Sequence, residues 1–427
     1  MRSVPLFLPL SGAAFLIACL ALAYSEAPLG TPLFFALAAV MVASYIAALV
    51  RVWNDASISR RWLPWVFILA VAFRLPLAVL PVGYDSDMVR YLWDGRVQRL
   101  GVNPYIAVPA DPALDYTHTD ETRVMPSRRV RTPYPPGAQL FFRAVTGVHD
   151  STLMMKLAVV ICDLITIAVV SRWLFVTARN PWLVLAYAWN PLVVLEGAHS
   201  GHIDVVGAMW IALAALALTT RRTLYTALAF VAAVATKLLP IVLVPLFWRR
   251  VRLRDIVLSV LFVCVLVLPF MDGGSLPLGA LPGVVAGVRF NGPFFMGIRL
   301  LTSPAFAAAV AVLAGLGVAA WCRWKLSPDD PGAWAWPMAV SLIFAPVVYP
   351  WYLLYITPFV FVRATVPLIA WTFSVIPSYI VWEFARQGGR WRVPASVVLV
   401  EYAVIVAAII VAARSAGAKS PGLRTGT

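Results

Sequence analysis

Two carboxylates stand one residue apart in the run Tyr84-Asp85-Ser86-Asp87, just beyond a long apolar stretch. Charge at the edge of a bilayer is kept where it is used or solvated. A positioned carboxylate can take the proton of a hydroxyl as that hydroxyl attacks an electrophile. The residues after the pair have the spacing of a helix, and a helix N-terminus favours an anion. Capping that helix would account for one of the two aspartates; a pair points to a site. One pair of carboxylates is too few ligands to require a metal. No cofactor is therefore expected, although a divalent ion would be compatible.

A second candidate group is Lys237, inside the apolar run Ala235-Thr-Lys237-Leu-Leu-Pro240. A lone Lys at membrane depth costs about 3 kcal/mol on insertion scales, so it must meet an anion or snorkel. The segment from Glu196 to Asp204 contains His199 and His202 and joins two apolar runs. Asn291 lies in a later polar loop, flanked by Arg289 and Arg299. Arg74 and Asp163, each alone in an apolar run, are expected to pair with each other.

The elements that position these groups follow from hydropathy. The chain has 427 residues, of which 62% are hydrophobic and 12% charged, where soluble proteins carry about 25% charged residues. Apolar runs fall at 5–24, 33–51, 63–82, 152–177, 182–196, 203–219, 223–247, 256–271, 305–322, 333–348, 351–362, 365–384 and 396–413. Their lengths predict an all-α polytopic bundle of about 11–13 spans. The start is read as an uncleaved span rather than a signal peptide. The run at 223–247 has basic turns at both ends and Lys237 and Pro240 near its middle, which predicts a broken helix or two half-spans. The 34 Lys and Arg against 19 Asp and Glu give a net charge of +15. Basic turns at Arg51, Arg60-Arg61, Arg172, Arg179, Arg221-Arg222, Arg249-Arg250 and Arg323 mark the cytoplasmic side and contact with anionic lipid, not nucleic acid. That orientation places the 83–150 loop outside the cytoplasm, in a multi-pass plasma (inner) membrane protein. The four cysteines sit in apolar runs and read as core residues.

Within the loop, residues 87–100 form an amphipathic pattern. Asp87, Arg90, Tyr91, Asp94 and Gln98 share one face; Val89, Trp93, Val97 and Leu100 share another. This predicts a helix lying on the membrane surface. Gly101-Val-Asn103-Pro104-Tyr105 then ends it, and Pro133-Tyr134-Pro135-Pro136 breaks the chain before the next helix.

An acidic pair after an early span, an amphipathic helix, then G-x-N-P-Y and Y-P-P resembles the GT-C superfamily of integral membrane glycosyltransferases. Within it the series is similar to bacterial polyprenol-phosphomannose-dependent α-mannosyltransferases. Gly201-His202-Ile-Asp204, Thr-Lys237-Leu-Leu-Pro and Tyr349-Pro-Trp351-Tyr also look like that group. The likeness covers about residues 80–360. It implies a GT-C bundle with a large extracytoplasmic catalytic loop. The chain is read as one membrane domain spanning 1–427 and departs from some members of that group in having no separate soluble domain. It implies inverting transfer of a sugar, mannose for this group, from a polyprenyl-phosphate donor to a lipid or glycolipid acceptor. Asp85 is then the expected base, being nearest the span and able to reach a cavity between helices, with Asp87 in a milder positioning role. Cations must stabilise the departing phosphate; Lys237 is the leading candidate, with Arg128, Arg129, Arg131 and Arg289. Arg90, Asp94, Asn103, Tyr105, Tyr134, His202, Asp204 and Asn291 are the expected substrate-binding residues. The competing reading is a transporter or flippase of lipid-linked sugars. Such a protein would line a midplane path with its charges and show repeats, whereas these carboxylates lie in an outer loop and no repeat is evident.

Overall fold

The computed structural model describes residues 7–55, 58–82, 86–123, 125 and 127–417. Their regular structure is helical, with two isolated β-bridges. Among the described residues eight helices are long and apolar enough to cross a membrane, in keeping with the polytopic bundle that the hydropathy predicts. The other apolar runs are covered by shorter pieces. Residues 182–196, for instance, become short turns restarted at Pro181 and Pro191, with a π-helical turn at Leu195–His199. Proline lacks the N–H that would continue a helix, so each one restarts the chain.

The helices used below are α1 (Phe7–Ser25), α2 (Pro32–Asn54), α3 (Leu63–Ala78), α4 (Asp87–Arg99), α5 (Pro136–Val148), α6 (Thr152–Val176), α7 (Asp204–Thr219), α8 (Thr223–Thr236), α9 (Ile380–Arg386) and α10 (Ala395–Gly417). Helix α1 packs on α2 and α3, α6 on α7, and α7 on α8. Arg74 of α3 and Asp163 of α6 form the expected internal pair, Nε to Oδ2 at 2.5 Å and Nη2 to Oδ1 at 3.2 Å. Tyr187 donates to the same carboxylate, and Arg74 also donates to the Ala70 and Ala188 carbonyls. Both charges are fully buried, a placement that holds only when the remaining donors and acceptors are also satisfied.

Helix α8 ends at Thr236. Lys237 is extended (φ −154°, ψ 152°) and a 3-10 helix, Leu239–Phe247, continues the run. The broken helix predicted for 223–247 is therefore present, with Lys237 at the break.

Helix α4 forms where the pattern predicts, but it does not lie on a membrane surface, because both of its faces are covered. Val89, Trp93 and Val97 pack with Ala107 and Met125 of the following loop. Trp93 donates from Nε1 to Thr117 and stacks on His118. Burial holds the His118 imidazole below its ordinary pKa, which keeps this packed ring neutral at neutral pH. The polar face meets α5, whose approach is so close that a side chain at Gly95 would strike the Phe142 carbonyl at 2.5 Å. Arg96 and Arg99 both bind Asp150 and anchor the far end.

Candidate active site

The N-cap of α4 is Ser86, whose hydroxyl accepts from the Met88 N–H at 3.2 Å. Capping is thus done by the serine between the two aspartates, and Asp87, the first helical residue, is free for another role. Asp85 lies outside the described residues. Asp87 lines a cavity of about 620 Å³. The α1–α2 turn, the end of α3, the His199–His202 connection, Tyr349 and Trp351, and the end of α9 with Trp391 complete its wall.

Several predicted residues converge here. Tyr134 lies within electrostatic reach of Asp87, and burial followed by the Asp87 charge holds its phenol well above the ordinary value, which keeps a neutral hydroxyl beside the carboxylate. Its own main chain is fixed by Tyr105, whose hydroxyl donates to the Tyr134 carbonyl at 2.7 Å. Tyr105 is in turn set by Asn103, which accepts from its N–H and donates to the Phe270 carbonyl. Asn103 and Tyr105 thus act on the cavity through Tyr134.

His202 lines the cavity, stacked on Trp351 with ring centroids 4.1 Å apart. Trp351 stacks on Tyr349 and Tyr349 on Phe290, which makes one continuous column. On its other side His202 Nδ1 lies 2.5 Å from the buried Glu196 carboxylate. Tyr352 meets Tyr349 and Trp351 of this column edge to face, and Lys237, which does not line the cavity, has its Nζ 4.7 Å from the centre of the Tyr352 ring and 2.6 Å from Asp204 Oδ2. The second Asp204 oxygen is buried without a hydrogen bond among the described residues. Tyr349 lies within electrostatic reach of both Asp87 and Lys237.

Other predicted residues go elsewhere. Arg90 and Asp94 pair at 2.7 Å. Asp94 also accepts from Thr132 and Gln139, and Arg90 donates to the Val130 carbonyl. This buried network holds α4 against the chain that enters α5, and it leaves neither group facing the cavity. Arg289 folds back onto the Ala286 and Val288 carbonyls. Asn291 donates to Glu401 of α10. Arg129 and Arg131 are exposed and Arg128 is half-buried, next to Ser127 on the cavity wall.

Glu26, Trp382, Arg386 and Trp391, all on the cavity wall, are not among the residues that the sequence motifs single out. The Trp-Arg spacing around 382–392 was the available signal, but it reads as an interfacial belt. Glu401 is not among them either, although a lone acid in an apolar run carries a signal of its own.

The sequence profile described as "Alpha-(1->6)-mannopyranosyltransferase, N-terminal domain" matches residues 12–251, more than half of the chain. The chain belongs to this family. The resemblance drawn from the motifs is borne out at that level, and the protein is a multi-pass membrane glycosyltransferase. The matched region of the mannopyranosyltransferase family contains Asp87, Tyr134, His202, Asp204 and Lys237. The structure of ArnT from Cupriavidus metallidurans bound to undecaprenyl phosphate is similar at 14% identity and a TM-score of 0.45, over 84% of this chain and 78% of that one. That likeness is too distant to carry residue correspondences. No curated protein matches the chain significantly.

Proposed function

We propose that the protein transfers a mannosyl group, with inversion, from a polyprenyl-phosphate donor to a hydroxyl of a lipid-linked or glycolipid acceptor on the extracytoplasmic side of the membrane. The observation that carries this reading is the cavity that has a non-capping carboxylate, Asp87, and Tyr349 on its wall, with Tyr352 packed on Tyr349 and the Lys237 ammonium of the Lys237–Asp204 pair over the Tyr352 ring. Asp87 removes the acceptor proton as the acceptor oxygen bonds to the anomeric carbon, while the bond from that carbon to the phosphate oxygen breaks. Such proton transfer typically contributes about 10²–10⁴-fold. Lys237 stabilises the charge gathering on the leaving phosphate. Tyr134 and the His202–Trp351 column shape the space between them. Leu29, Leu80 and Val82 on the cavity wall suit the first isoprene units of a donor whose tail lies among the spans.

The test is incubation of the purified protein with a panel of radiolabelled polyprenyl-phosphate sugars and a membrane lipid extract. Label from the mannosyl donor should enter a glycolipid. Transfer from another sugar alone would sink the mannose assignment, and no transfer from any donor would sink the lipid-phosphate reading.

The side of the membrane has its own test. Ala110 lies exposed in the loop between α4 and α5. A cysteine placed there should react with a membrane-impermeant thiol reagent in intact cells. Labelling only after lysis would put the loop, and the cavity, on the cytoplasmic side.

A further inference from the structure

We infer that the rim of the cavity formed by Glu26, Trp382, Arg386 and Trp391 is a subsite for the acceptor, and that it holds the pyranose ring bearing the attacking hydroxyl. This rests on the proposed transfer reaction. In an inverting displacement the incoming and leaving oxygens approach the anomeric carbon from opposite sides. Asp87 and the rim residues line the same cavity, so an acceptor whose hydroxyl meets Asp87 there lies against the rim. In a (1→6) linkage the attacking oxygen is a primary hydroxyl, carried one carbon outside the acceptor ring. The ring therefore stands off from Asp87 and needs a surface of its own.

The rim supplies that surface. Trp391 meets Trp382 edge to face at 4.7 Å and remains 44% exposed, whereas Trp382 is only 8% exposed. A buried indole thus supports an open one. An exposed indole face takes the C–H side of a pyranose, and charged groups beside it take hydroxyls. Arg386 is held in place, donating to Glu383 and to the Leu29 carbonyl at 2.5 Å, and it borders the cavity. Its bond to Leu29 ties α9 to the α1–α2 turn. That turn carries Glu26, whose backbone is left-handed (φ 46°). This conformation is unfavourable for a residue with a side chain, and such outliers gather at ligand sites. Ser127, also on the cavity wall, is left-handed as well (φ 59°). None of these rim residues belongs to the Asp87–His202–Lys237 group.

The test uses the full chain in nanodiscs with Trp391→Ala and, as a variant that preserves packing, Glu26→Gln. Binding of soluble α-(1→6)-mannobiose is read by saturation-transfer NMR. Rates are measured against lipid-linked acceptor and against donor separately. Both variants should weaken mannobiose binding and raise the acceptor KM, by about tenfold for the indole, with the donor KM unchanged. Wild-type binding in both variants, or a rise in donor KM instead, would overturn the subsite. Mannobiose binding that depends on Trp391 and Glu26, in a protein that uses no polyprenyl-phosphate donor, would keep the subsite and sink the donor reading. Donor turnover with mannobiose binding indifferent to both variants would do the reverse.

Discussion

Asp87→Asn is expected to lower transfer by about 10²–10⁴-fold while donor binding is retained, the range lost with a general base. Asparagine keeps the shape of the side chain beside Tyr134, but it cannot accept the proton. Helix α4 should stay intact, because Ser86, not Asp87, provides its cap. The α4 dipole favours the charge on Asp87, so its loss subtracts charge as well as basicity. The informative comparison is Asp85→Asn, measured as kcat on a fixed donor. A silent Asp87→Asn with an inactive Asp85→Asn would move the base to Asp85, the role expected from the sequence. Activity in both would remove the acidic pair from the chemistry altogether.

Lys237→Met is expected to lower kcat/KM for the donor by about 10²–10³-fold, the size of effect seen when one preorganised donor to developing charge is removed. The variant has a confounding cost. It leaves the fully buried Asp204 without its cation, and breaking a buried pair from one side costs about 3–5 kcal/mol. The double variant Lys237→Met/Asp204→Asn separates the two effects, since residues in contact do not act additively. If Lys237 serves the phosphate, the double variant should regain thermal stability in detergent without regaining rate. If the pair is only structural, stability and rate should return together. Lys237→Arg keeps the charge and should retain part of the rate.

Several features were legible in the chain because their causes are local. The length and apolarity of runs such as 33–51 and 152–177 are enough to specify spanning helices. The α4 pattern needs only its own 3.6-residue period and the serine before it. The break at Lys237 was visible because a charge and Pro240 interrupt one apolar run. Arg74 and Asp163 could be paired in advance, since each would be too costly alone at membrane depth.

The sequence by itself determined a polytopic helical membrane protein, an α4 helix beginning at an acidic pair, a broken helix at Lys237 and the glycosyltransferase family. The tertiary structure decided which polar groups face one another. It set Lys237 on Asp204, 33 residues away, turned Arg289 onto the Ala286 and Val288 carbonyls and Asn291 onto Glu401, and drew Arg90 and Asp94 into the packing of α4 on α5. It also brought Glu26 and Trp391, near opposite ends of the chain, to one rim. Hydropathy and periodicity report on neighbours in sequence. The rotation and docking of helices, which select the partner of each buried charge, arise from contacts between distant segments.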